Sequence, residues 1–314
     1  MKNNDFENEI LEQKLTGDSN SRLSVQQLGL FEKIKPSFDM ITICGDLINS
    51  RAKEVKKIIE NDLRINLSHA MSNKFVGQIF NNTVHISYDK LRTAHGRSPM
   101  RIEFNPNNLT KEELEFIQRS FLDNMRDKHF TRIDLAFDLE HNLEDYYIMS
   151  DKGIKKMVIY GKSDKAESKY FGVRSSDRYI RIYNKKKQLA EVHDKEIENE
   201  NLWRIEFELK KSMVNKWDKC FDDLSVIKPA YLTINNFEEQ AKIYYLLHEQ
   251  NAWSMLSRST KYKYKKILKE ISDIDITDIL RQVLNDHHDK LSAELENYIA
   301  VSHHDKLYNF DFDL

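Results

Sequence analysis

The chain has 314 residues, 40% hydrophobic and 32% charged, with a formal net charge of −2. That length holds one large domain or two moderate ones, the apolar share supports a real core, and the near-neutral balance does not announce a nucleic-acid partner. Its eight glycines form neither G-x-G-x-x-G nor G-x-x-x-x-G-K-S/T, which argues against an NTP-driven enzyme.

Residues 1–36 read as a flexible arm, with Gly17-Asp18-Ser19-Asn20-Ser21 its least ordered part. The polar, acidic start from Met1 to Leu15 has no apolar stretch of the signal-peptide kind. Phe38 to Ile48 alternates like a strand, and a helix is expected near Arg51 to Leu67. Thr83 to Tyr88 and Met100 to Phe104 read as strands, the second ended by the turn Asn105-Pro106-Asn107-Asn108. Thr110 and Glu113 form a capping box, with Leu114, Ile117, Phe121 and Met125 on one helical face behind it. Phe130 to Leu139, Lys156 to Tyr160, Lys169 to Val173, Arg178 to Asn184 and Trp203 to Leu209 read as strands. Past Ser212 the pattern is helical, clearest over Phe237 to His248 and Tyr262 to Ile271. His287-His288-Asp289-Lys290-Leu291 and His303-His304-Asp305-Lys306-Leu307 repeat a pentapeptide, and two copies make no solenoid.

The expected fold is α+β: a largely antiparallel β-sheet with helices packed on one face and a helical C-terminal region. It divides as an arm over 1–36, an α+β region over 37–212, a helical region over 213–272 and an acidic helical tail over 273–314. No run approaches about 18 apolar residues, so no membrane helix is expected. Cys44 and Cys220 fit no metal-ligand spacing, and a reducing cytoplasm is the simplest setting.

Charge is unevenly placed. From Lys162 to Lys187 bases outnumber acids, and from Arg258 to Lys269 there is no acid at all. The second stretch interleaves Tyr262 and Tyr264 with Arg258, Lys261, Lys263, Lys265 and Lys266. A solvated helix is the plain reading, and the lack of any acid favours phosphate contacts.

In Asp177-Arg178-Tyr179-Ile180-Arg181-Ile182-Tyr183-Asn184-Lys185-Lys186-Lys187, period-two alternation puts Tyr179, Arg181, Tyr183 and Lys185 on one face. A phenol has a pKa of about 10 and is a poor nucleophile at neutral pH. Flanking cations favour the phenolate and attract a phosphate. Tyr160, Tyr170 and Tyr179 compete for the role, and Tyr183 ranks first because Arg181 and Lys185 both flank it. Arg178, Lys186 and Lys187 are expected on DNA.

Three other strands carry Arg-x-Asp/Glu at period two: Arg132 with Asp134 and Asp138, Arg204 with Glu206 and Glu208, and Arg101 with Glu103. Cross-strand salt bridges on a half-solvated sheet would explain each one. Their repetition suggests an oxygen-rich site for Mg²⁺ or Mn²⁺. Asp134 with Glu206 are the favoured ligands, with Glu103 and Glu208 as additions. Asp138 is too far along its strand to share an ion with Asp134. No His-apolar-His pair occurs, so the histidine signature of HUH nucleases is missing.

These segments together resemble the replication initiators of small rolling-circle resistance plasmids of Gram-positive bacteria, the Rep_trans group. The resemblance lies in Ser19 to Leu23, Met100 to Asn107, Thr131 to Asp138, Lys169 to Arg174, Tyr179 to Lys186, Leu202 to Glu206, and Lys263 to Lys265 with Leu268 to Ser272. It runs in order over roughly residues 14 to 290, and the His-His-Asp-Lys-Leu repeat is outside it. It implies a homodimer that binds the plasmid double-strand origin and nicks one strand through Tyr183. A 5′-phosphotyrosyl link and a free 3′-OH would result, and the strand would be rejoined at termination. It implies a divalent metal, a host helicase of the PcrA type, nicking by the 37–212 region and origin discrimination by the 213–272 region. Two other readings stay open: a protein that only binds and melts origin DNA, and a metal-dependent endonuclease that activates water.

Overall fold

The computed structural model describes residues 34–300 except 72, 151–153, 163–164, 194–200 and 250. The expected arm up to residue 33, the Ser19 to Leu23 match and the second His-His-Asp-Lys-Leu run lie outside the described residues.

One sheet contains β1 (Lys35–Leu47), β2 (Ile65–Met71), β3 (Lys74–Ile79), β4 (Val84–Asp89), β5 (Met100–Phe104), β6 (Met125–Leu139), β8 (Lys156–Tyr160), β9 (Ala166–Phe171), β10 (Arg178–Asn184) and β11 (Trp203–Lys210). Its ten strands run β2-β3-β4-β5-β1-β6-β11-β10-β9-β8. Every pairing in it is antiparallel. The expected α+β fold with a largely antiparallel sheet and C-terminal helices is what forms.

The alternation read in the sequence decides which side chains of these strands face the core. Ile180 pairs with Phe207 and Ile182 with Ile205, and these pair on with Leu135 and Phe137. A one-residue slip would turn all of them out of the core. The segment Lys211–Lys219 and the turn after it cover this face. Phe221 meets Phe207 and Phe137 edge-on at 4.8 and 5.3 Å, and Trp217 meets Phe38 at 5.7 Å. Burial of each such ring contributes about 1.5–3 kcal/mol.

Helix α1 (Ala52–Asn61) stops well short of Leu67, where a longer helix was expected. Asp62 closes it and binds the Arg64 guanidinium, and the chain enters β2 at Ile65. Helix α2 (Lys111–Ser120) has the expected capping box: Glu113 N–H donates to Thr110 Oγ1 at 3.2 Å and Thr110 N–H to Glu113 Oε2 at 2.8 Å. Its apolar stripe is cut, because Phe121 leaves helical geometry and Met125 begins β6.

Helix α3 (Lys185–His193) follows β10 directly. The 213–272 region is not wholly helical. It holds β12 (Leu224–Pro229) and the first residue of β13 (Ser272–Asp275), which with β7 (Tyr147–Ser150) form a second antiparallel sheet. These short strands carry too few residues to show a period. Helices α4 (Phe237–His248) and α5 (Arg258–Glu270) pack on it around Tyr147, Ile227, Leu246, Leu247, Tyr264 and Leu268. Lys156 Nζ and Trp253 Nε1 both donate to the Leu246 carbonyl and fix the end of α4 to β8.

Helices α6 (Thr277–Asp286) and α7 (His288–Ile299) close the described chain. The first His-His-Asp-Lys-Leu run packs partly onto the body: His288 stacks on Trp217 at 5.3 Å and Leu291 is buried.

Candidate active site

Three cross-strand rows build one polar face. Asp134, Glu208 and Tyr179 form the first, and Ala136, Glu206, Arg181 and Tyr170 the second. Asp138, Arg204, Tyr183 and Ser168 form the third. Side chains long enough to reach diagonally tie the rows together. Tyr183 Oη donates to Glu206 Oε2 at 3.0 Å. Arg181 Nη2 donates closely to Glu206 Oε1 and lies 3.4 Å from Asp134 Oδ2. Arg132 grips Asp134 with two bonds of 2.7 and 2.6 Å and reaches Glu208 at 3.3 Å. Lys210 pairs with Glu208.

This face was expected to be half-solvated. It is instead a buried ion-pair layer, with Asp134 and Glu206 each 1% exposed. Arg204 is buried between two acids, gripping Asp138 at 2.5 and 2.6 Å and lying 2.6 Å from Asp39. Asn105 also donates to Asp39, at 3.1 Å. Removing an ion from water is costly, so such a layer holds only with nearly every charge paired.

The environment of Tyr183 differs from the expected one. Burial pushes its hydroxyl well above the ordinary phenol range and Glu206 adds to this, with Arg204 and Arg181 opposing. Arg181 does not favour the phenolate strongly, because it is already paired with Glu206 and Asp134. Lys185 is not on the strand face. Asn184 ends β10 and its Oδ1 accepts the Lys187 N–H at 2.9 Å, the N-cap bond of α3. Lys185 Nζ therefore sits 5.8 Å from the Tyr183 ring centroid and donates to Gln188. Burial pulls its amine below the ordinary lysine value.

The four expected metal ligands do not converge. Glu103 lies beyond β1, where Arg101 and Thr42 bind it. The oxygens of Asp134, Glu206 and Glu208 are held by Arg132, Arg181 and Lys210, which balance their charge. Among the described residues no three His, Cys, Asp or Glu side chains form a group that could hold a metal ion. Carboxylates suit Mg²⁺ or Mn²⁺ by chemistry, but so clasped this set does not fit one.

Arg178 was expected on DNA and is structural instead. Its guanidinium donates to the Cys220 and Asp222 carbonyls at 3.0 and 2.9 Å and to Asp223 at 2.8 Å. Lys186 is half-buried, and Lys187 pairs with Glu167. On α5, Arg258, Lys263 and Lys266 are exposed and Lys261 is half-buried. Lys263 and Lys266 have acidic neighbours, Glu239 at 3.4 Å and Glu270 at 3.7 Å. Lys265 instead donates to the Ser150 carbonyl and docks the helix.

Beside Tyr183 opens a cleft of about 200 Å³, lined among others by Ser168, Tyr170, Arg181, Lys187 and Gln188. Asp39 and Gln188 carried no sequence signal as site residues. Asp39 sits where the β1–β6 register shifts, between Phe38 and Met40, so period two does not place it.

A family described as "Replication initiation protein, N-terminal", RepD-like, matches residues 40–125, a span that ends before β10 and β11. Three curated Staphylococcus aureus proteins named "Replication initiation protein" are similar to the chain. One is 44% identical over 284 residues, 90% of each chain. The others are 43% and 41% identical over 282 residues, again 90% of each. A solved structure, a rolling circle replication initiator protein from Geobacillus stearothermophilus, aligns with 11% identity and a TM-score of 0.41, over 75% of this chain and 97% of that one. No described helix is long and apolar enough to cross a membrane.

Proposed function

The chain belongs to the replication initiation protein family, and from that premise we propose that it starts plasmid rolling-circle replication by nicking one origin strand with Tyr183. The observation that carries this reading is the Tyr183 hydroxyl held against Glu206 at 3.0 Å beside an open cleft. A phenol kept neutral by burial needs a base within reach, and Glu206 is already its acceptor.

Tyr183 Oη bonds to the scissile phosphorus and its proton passes to Glu206. The P–O3′ bond breaks, the 3′ oxygen leaves as a hydroxyl by taking a proton from water, and the hydroxide so formed takes the proton back from Glu206. The bond is conserved as a 5′-phosphotyrosine, so rejoining is the same step reversed and no ATP is needed.

Two features support a phosphate at this place. Arg181 Nε is buried with no acceptor among the described residues, and a phosphate oxygen would supply one. Lys185, Lys186 and Lys187 occupy the first turn of α3, against its own dipole. A helix that bears this cost gains from an anion near its start. The exposed cations of α5 are proposed to contact origin DNA. Homodimerisation, the PcrA-type helicase and Mg²⁺ or Mn²⁺ rest on the family resemblance, and no step above is routed through an ion.

The test is to mix the chain with supercoiled origin DNA and denature it. A covalent adduct that Tyr183→Phe loses, with DNA binding kept, supports the reading. Nicking without an adduct points to activated water, and binding without nicking to a protein that only opens the origin.

A further inference from the structure

The cleft beside Tyr183 has an aromatic wall that strand transfer does not use. Tyr170 pairs with Arg181 in the β9–β10 ladder. Its ring stacks on Tyr179, with centroids 6.0 Å apart and planes 17° from parallel. Tyr179 is buried at 6% exposure and backs the pair, whereas Tyr170 is half-buried and lines the cleft. Lys187 and Gln188 stand on the same cleft as polar groups at its rim. A fixed aromatic ring with hydrogen-bonding groups beside it is how proteins hold an unpaired base. A duplex hides its base faces, so such a wall takes only an unstacked nucleotide.

We propose that Tyr170 stacks on one unpaired nucleobase next to the scissile phosphate, which makes this cleft a single-strand-selective base site. The inference rests on the nicking reading, because it places that base by the phosphate Tyr183 attacks. The plain alternative is that Tyr170 and Tyr179 are a cross-strand packing pair. That alternative predicts a change in stability and none in single-strand affinity.

The experiment uses the full chain with Tyr183→Phe and a single-stranded oligonucleotide from its own origin, in which 2-aminopurine is walked along the sequence. Quenching is expected at one position. Tyr170→Leu should abolish it and weaken binding about 5- to 150-fold, the range of one base–aromatic stack. Tyr170→Phe should restore both, and duplex-origin affinity should not change. An abasic site at that position should reproduce the loss with Tyr170 intact, which keeps the test valid if Tyr170→Leu fails to fold. Equal binding of abasic and normal strands at every position overturns the proposal, as does equal quenching in Tyr170→Leu. If the unmodified chain forms no tyrosine adduct while the quenching pattern holds, the nicking reading fails and the base site stands.

Discussion

Tyr183 and Glu206 meet diagonally: in the ladder Tyr183 opposes Arg204, yet its hydroxyl donates to Glu206 Oε2 at 3.0 Å. The directly opposed pair is Arg181 with Glu206. One carboxylate therefore holds the phenol with one oxygen and the guanidinium with the other. The phenol is kept neutral until a base takes its proton.

Glu206→Gln tests that arrangement. The amide keeps the shape and an acceptor but cannot take the proton. Nicking should fall about 10²- to 10⁴-fold, with origin affinity nearly unchanged. Burial holds Tyr183 above the phenol range, so the residual rate should climb with pH, about tenfold per unit, as hydroxide forms the phenolate. An unchanged rate in Glu206→Gln would remove Glu206 from the step.

Arg204 is the structural counterpart of that pair. Arg204→Met strands Asp39 and Asp138 and should cost about 3 kcal/mol, at the low end for buried pairs because the Asp138 side chain is 37% exposed. Arg204→Lys should not recover it, since a single ammonium cannot serve two carboxylates as the fork does. Arg204→Met with Asp39→Asn and Asp138→Asn should recover most of it. Urea unfolding of the four chains decides.

Tyr183, the proposed nucleophile, stood out in the sequence, and its surroundings did not. Period two put Arg181 and Tyr183 on one face, and three Arg-x-Asp/Glu strands announced the acids. Which acid meets Tyr183 depends on the β10–β11 register, which no local pattern carries. Lys185 was misplaced because Asn184, a good N-cap residue, ends the strand one residue earlier. The start of strand β2 was hidden by reading a helix through Asn61 and Asp62 to Leu67, and β3 was not read as an element. The charged face was expected to meet water, but its long side chains fold over and pair with one another.

Lys156 and Lys169 are buried on main-chain carbonyls, and burial pulls both amines down to about 7. In the unfolded chain they titrate near 10.4. Between those values the unfolded state binds more protons, so stability rises with pH, by up to about 1.4 kcal/mol per unit per lysine. Lys156→Met and Lys169→Met should each flatten the rise in urea midpoint between pH 7.5 and 9.5. An unchanged slope would contradict the assignment.

On α5 the lysines divide by environment. Lys263→Ala and Lys266→Ala should each lower the slope of log affinity against log salt by about 1 on origin DNA, the signature of one lost phosphate contact. Lys265→Ala should lower the unfolding midpoint instead, because it anchors α5 to Ser150. A salt slope that only Lys265→Ala changes would reverse this division.

Covalent attack by Tyr183 is decided by finding the atom joined to DNA. The chain is reacted with origin DNA, the nucleic acid is trimmed by nuclease, and the peptides are sequenced by mass spectrometry. A nucleotide phosphate is expected on Tyr183 and on no other residue. A phosphate on Tyr170 or Tyr179, or cut DNA with no modified tyrosine, would contradict it.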